Sequence, residues 1–84
     1  MKISDMKNMQ PEYTEMLART GIHTKDDLEQ KGAVDTYLLL NKQGQIADLK
    51  MLYALESALL DISVSQLGND IKQHLQSAIK APKL

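Results

Sequence analysis

Glycine stands at positions 21, 32, 44 and 68, and at each of these a stretch with helical periodicity comes to an end. A glycine just past the last periodic residue is a common way to stop an α-helix, because it adopts a left-handed conformation without a Cβ clash. This punctuation leaves segments so short that most could not persist alone, since isolated helices under about 12 residues are marginal in water. The chain is therefore constrained to short helices that stabilise one another. No stretch alternates with period two between turn signals, so no strand is expected. The predicted class is all-α: a compact bundle of five short helices.

Residues 1–10 read as a lead-in with about one turn of structure. Pro11 suits the first position of a helix, where its missing N–H costs nothing. In that helix Tyr13, Met16 and Leu17 share a side with Thr20, while Glu12, Glu15 and Arg19 face away. Glu15 and Arg19 form a favourable i,i+4 pair, and Gly21 stands at the left-handed position beyond the end. A second helix starts at Thr24, whose hydroxyl can accept from the backbone N–H of Asp27. Asp26 and Asp27 put negative charge at the positive end of its dipole, Lys31 lies at the other end, and Gly32 closes it. The third helix, 33–43, is expected to pack Val34, Tyr37, Leu38 and Asn41, and it ends at Gly44.

Asp48 is the expected cap of a fourth helix, 49–61, with the sequence LKMLYALESALLD. Its only polar strip is Lys50, Ser57 and Asp61, and a helix wet on so narrow a strip is the central post of a bundle. Ser63 with Gln66 predicts a single capped turn before Gly68. Asn69 then caps a fifth helix, 70–80, with Ile71, Leu75, Ala78 and Ile79 in one stripe, and Pro82 ends it.

Composition removes several function classes. The 84 residues have room for one domain, taken as 1–84. Lysine plus arginine number 10 against 11 acidic residues, a formal charge of −1. That is not the basic surplus of a chain whose main task is gripping phosphate backbones. There is no cysteine, hence no disulfide and no thiolate metal site. The start, MKISDMK, has no apolar h-region and no run approaches a membrane span, so a cytoplasmic location without membrane contact is expected.

The two histidines, His23 and His74, lie far apart and belong to no ligand motif. His23 precedes the Thr24 cap, where its ring is expected to pack on Leu28, and His74 flanks the fifth helix's stripe as a rim residue. There is no Gly-rich phosphate loop, nucleophile elbow or pair of histidines on one helix face. No catalytic, cofactor-binding or metal residue is assigned, and no cofactor is expected.

Two residues break the pattern. Glu56 falls within the apolar arc of the fourth helix and is expected to be a buried structural acid. There it would need a helix-start N–H, a tyrosine hydroxyl or a basic side chain as partner. Leu39 projects among Asp35, Lys42 and Gln43, which marks it as a contact for a protein partner or for a second copy in a homodimer.

Three linked motifs then stand out: Gly21-Ile22-His23-Thr24 with Asp27 and Leu28, Gly32-Ala33-Val34 with Tyr37 and Leu38, and Leu52 to Glu56. Together they resemble the C-terminal domain of the TfoX/Sxy proteins, bacterial regulators of DNA transformation, over residues 8–80. The resemblance implies a small helical fold related to helix-hairpin-helix and SAM-like domains. It also implies a part in controlling competence, in proteins that commonly carry a separate N-terminal domain, here read as a stand-alone copy without it. The leading expectation is a non-catalytic regulatory module that works through contact with an unidentified protein. The alternative is weak, sequence-independent contact with the DNA backbone through a degenerate hairpin at residues 7–12, by Lys7, Asn8, Gln10 and Pro11. In that hairpin Asn8 can adopt a left-handed conformation, but Gln10 replaces a glycine and Glu12 repels phosphate.

Overall fold

The computed structural model describes residues 1–80, so Pro82 lies outside the described residues. Five α-helices follow one another: α1 (Pro11–Arg19), α2 (Lys25–Lys31), α3 (Ala33–Lys42), α4 (Leu49–Leu60) and α5 (Asn69–Lys80). Single 3-10 turns, Ile3–Asp5 and Val64–Gln66, precede α1 and α5. None of the described residues forms a strand, and Lys2 and Thr24 make only an isolated bridge. No helix among them is long and apolar enough to cross a membrane.

Local chemistry sets the helix ends. α1 closes with Gly21 at φ 87°, its N–H donating to the Ala18 carbonyl while that of Ile22 donates to Leu17. α3 repeats the arrangement, with Gly44 at φ 84° donating to Asn41 and Gln45 donating to Leu40. α4 ends in the same way on a non-glycine residue: Asp61 is left-handed at φ 58°, and Ile62 donates back to Ser57. This paired return of N–H groups satisfies carbonyls that would otherwise be orphaned at a helix end. At the opposite ends, Asp48 accepts from the Met51 N–H at 3.0 Å, and Thr24 with Asp27 forms a reciprocal capping box.

α4 is the post around which the rest is wrapped. Its Met51, Leu52 and Leu55 are buried, and α2, α3, α5 and the Val64–Gln66 turn pack on it. The lead-in also belongs to the core, with Ile3 1% and Met6 7% exposed. It is held there because the Ile3 N–H donates to the His23 carbonyl and the Lys25 N–H donates to the Met1 carbonyl.

Burial corrects the expected orientation of two helices. α3 buries the line Ala33, Thr36 and Leu40, while Leu38 is 42% exposed and Leu39 half-buried. The three consecutive leucines 38–40 carry no phase of their own, and neighbouring helices selected the last of them. In α4 the expected wet strip is closed at its middle, since Ser57 is buried and its hydroxyl donates to the Tyr53 carbonyl at 2.7 Å. The outward line is instead Leu49, Tyr53, Glu56 and Leu60, which are half-buried or exposed. Met6, Met9 and Val64 lie beside Lys50 and Ala54 and cover the side assigned to water.

Leu40→Ala should cost about 2–5 kcal/mol, the range for a truncated core leucine. Leu38→Ala should stay within about 0.5 kcal/mol of wild type. Urea unfolding of the two variants checks this assignment directly, because the reverse order would restore the orientation expected from sequence.

Candidate functional site

The structure gives no helix–turn–helix hairpin at residues 7–12, and the next turn, residues 20–24, joins α1 to α2. Residues 7–12 are preceded by a single 3-10 turn, which supplies no first helix for a hairpin there. At the α1–α2 turn Ile22 goes into the core, while His23 is exposed instead of packing on Leu28. The apolar role expected of the His23 ring falls to its neighbour because Ile22 loses more by staying in water.

The main-chain donors of residues 20–24 are already engaged. Thr20, Gly21 and Ile22 donate to carbonyls of α1. His23 and Thr24 both donate to one Asp27 carboxylate oxygen, at 3.1 and 3.2 Å, and the Asp27 N–H donates to the Thr24 hydroxyl. The hydrogen bond from the His23 N–H, followed by those of Thr24, holds the Asp27 carboxyl below the usual carboxylate range. A fixed anion thus sits at the start of α2, where a second negative group meets repulsion.

Lys7 and Asn8 hold the lead-in to the end of α4, while Gln10 and Pro11 belong to the start of α1. The Lys7 ammonium donates to the Asp61 carbonyl at 3.3 Å and lies 3.9 Å from its carboxylate. Asn8 adopts φ 67°, the left-handed form expected of it, and its amide donates to the Ile62 carbonyl at 2.8 Å. Gln10 precedes α1 and accepts the Thr14 N–H, and Pro11 occupies the first turn. Asn8 and Asp61, the two non-glycine residues with positive φ among those described, therefore meet at one seam between segments 54 positions apart.

Beside this seam runs a surface furrow between the 6–16 segment and α4. One hollow of about 330 Å³ is lined by Met6, Met9 and Tyr13 on one side and Lys50, Ala54 and Val64 on the other. A second, of about 270 Å³, shares Gln10, Tyr13 and Lys50 with it and continues past Met16 and Met51 to Ile46. Burial, then the nearby Asp48 and Glu12 carboxylates, pushes the Tyr13 phenol up.

Ile46 is 89% exposed, yet its loop is pinned. The Asn41 amide accepts the Ala47 N–H at 3.1 Å and donates to the Ala47 carbonyl at 3.4 Å. The Gln45 amide reaches the Met16 carbonyl at 3.2 Å. Sequence reasoning missed this furrow. The methionines at 6, 9, 16 and 51 were the available signal, but they have no common meaning until the lead-in is known to lie along α4.

The two residues singled out for breaking the pattern are placed differently from expectation. Glu56 is half-exposed and borders a hollow with Gly32–Asp35 at the start of α3 and with His74 of α5, without a hydrogen bond or ion pair to the described residues. It is not a buried acid, because α5 covers the outward line of α4 only in part. Leu39 is half-buried beside the fully buried Leu40, so the exposed leucine of α3 is Leu38. His74 does lie exposed at a rim, as expected.

A family model, the TfoX C-terminal domain, matches residues 1–79. The chain belongs to the TfoX C-terminal domain family. No curated protein matches it. Its fold is similar to the crystal structure of an uncharacterized protein from Listeria monocytogenes, with a TM-score of 0.84 and 25% sequence identity over 90% of this chain and 86% of that one. The motif residues quoted for the resemblance are largely structural. Gly21 takes a left-handed φ, Thr24 and Asp27 cap α2, and Leu28, Leu52 and Leu55 fill the core.

Two variants test this geometry. A carboxyl whose folded pKa is lowered contributes stability above its unfolded value, about 3.9 for aspartate, and loses it as pH falls through the folded value. Wild type should therefore exceed Asp27→Asn in urea midpoint at neutral pH, and the gap should close as acidity passes below about pH 4. At the seam, Asn8→Ala should cost about 1–3 kcal/mol through a left-handed alanine and an unpaired carbonyl, and Asn8→Gly distinctly less.

Proposed function

We propose that this chain is a non-catalytic interaction module that takes part in regulating competence for DNA uptake through contact with another protein. The family match over residues 1–79 carries this reading. The even charge balance supports it. Asp27 has a structural role, in the α2 capping box, that accounts for it without a reaction.

DNA-backbone contact through residues 7–12 has less support. Lys7 and Asn8 direct their donors at residues 61 and 62, and the α1–α2 turn is capped by the chain's own Asp27 carboxylate. Photo-crosslinking of the chain in its native cells, followed by mass spectrometry, should recover a protein involved in competence. Deletion should also change transformation frequency. Recovery of no protein, together with unchanged transformation, would remove this function. In a salt titration with duplex DNA, affinity that falls with a log–log slope of about −2 or steeper would favour the backbone-binding alternative instead.

A further inference from the structure

Residues 1–62 are laced together by hydrogen bonds between distant segments. The Ile3 N–H donates to the His23 carbonyl and that of Lys25 to Met1, which binds the lead-in to the α1–α2 turn. Lys7 and Asn8 bind it again to the end of α4, and the Gln45 amide fastens the α3–α4 loop to α1 through the Met16 carbonyl. Leu67, buried in the core, then anchors the chain just before Gly68.

α5 shares in none of these ties. Among the described residues, its hydrogen bonds and cation–π contacts with the rest of the fold meet at one side chain, Tyr53 of α4. The Gln76 amide donates to the Tyr53 hydroxyl at 2.5 Å, and the Lys72 ammonium lies 5.6 Å from the centre of the same ring. Lys72 and Gln76 stand one helical turn apart, so a single ring holds two turns of α5.

The apolar attachment of α5 is also small. Leu75 is its one buried side chain, while Ile71, Ala78 and Ile79 are half-buried. α1 and α2 likewise bury only Leu17 and Leu28, but the lead-in bonds and the Gln45 contact brace those two helices from outside. Toward Glu56, α5 leaves a hollow of about 260 Å³ that reaches the start of α3, so its cover there is incomplete. At the joint, a Cβ built on Gly68 would meet nothing within 4 Å, and no neighbour wedges the chain. An element with few buried contacts and few bonds to its surroundings opens at lower cost than the whole fold.

We propose that α5 is a lid that opens as a unit about Gly68, away from a core of residues 1–67 that stays folded, with Tyr53 as its latch. Opening bares the Tyr53 side of α4 and the seat of Leu75, and closure hides them. The lid thereby controls what that side of α4 can touch.

Native-state hydrogen exchange of the full chain, read residue by residue by NMR at low urea, tests this. Corrected for intrinsic rates, the amides from Gln73 to Lys80 should exchange about tenfold or more faster than the slowest amides of α4. Their rates should also depend little on urea, because the opening exposes little surface. Asn8→Ala loosens a seam that stays shut in the open form. It should speed the α4 amides about tenfold and leave those of α5 within about twofold of wild type. Tyr53→Phe keeps the ring, removes the hydroxyl, and should speed α5 exchange about two- to tenfold. Equal responses of α4 and α5 to Asn8→Ala, or one steep urea dependence shared by both, would overturn the lid and make α5 part of a single cooperative unit. Unprotected α5 amides in wild type would overturn it too, since no closed form would then be populated. α5 rates unmoved by Tyr53→Phe would reject the latch. Should Asn8→Ala fail to fold, the wild-type urea dependence decides alone.

Discussion

Burial against α4 is the constraint on which every other element depends. No helix among the described residues is longer than 12 residues, and α2 has only 7. Helices of that length in water are marginal, so each persists only by laying one face on something already ordered. α4 can serve as that surface because its apolar residues occupy more than half of its circumference. α3, α2, α5, the 3-10 turn at Val64–Gln66 and the lead-in all close around it. The circumference left to water is the line from Leu49 to Leu60, and Glu56 lies on that line.

The same arrangement separates two surfaces that share the name of a helical hairpin domain. At the α1–α2 corner, glycine geometry and a helix start bring several N–H groups together, as an anion-binding turn would require. Asp27 completes those bonds from within the chain, so the corner is satisfied by its own carboxylate. Across the molecule, the lead-in lies along α4 and leaves a furrow with Met9 and Ala54 toward one end and Glu12 and Asp48 toward the other. Fold similarity to a hairpin class therefore says little about which of these surfaces is used, and the distribution of satisfied and unsatisfied groups says more.

Legibility in the sequence followed the distance over which each interaction acts. The caps at Thr24, Asp48 and Ser63, the left-handed Gly21 and Gly44, and the left-handed capacity of Asn8 all rest on contacts within a few residues or on intrinsic backbone freedom. The boundaries of the five helices follow from them within a residue or two. Val34 and Tyr37 pack against the core as expected, but Leu40 takes the buried place expected of Leu38, because three adjacent leucines satisfy several orientations equally well. Ser57 was assigned to water because its cover comes from other elements, and Glu56 was assigned to the interior because α5 covers less of α4 than its apolar arc allows.

Local hydrogen bonds and glycine spacing, then, were enough to determine the number of helices, their ends and the all-α class, because a cap is complete within about four residues. Tertiary structure alone decided which side of α3 and α4 is buried, that Ile3 and Met6 belong to the core, and that distant methionines meet in one furrow. Those outcomes depend on pairs such as Asn8 with Ile62, 54 positions apart, whose meeting is fixed only when the whole chain packs.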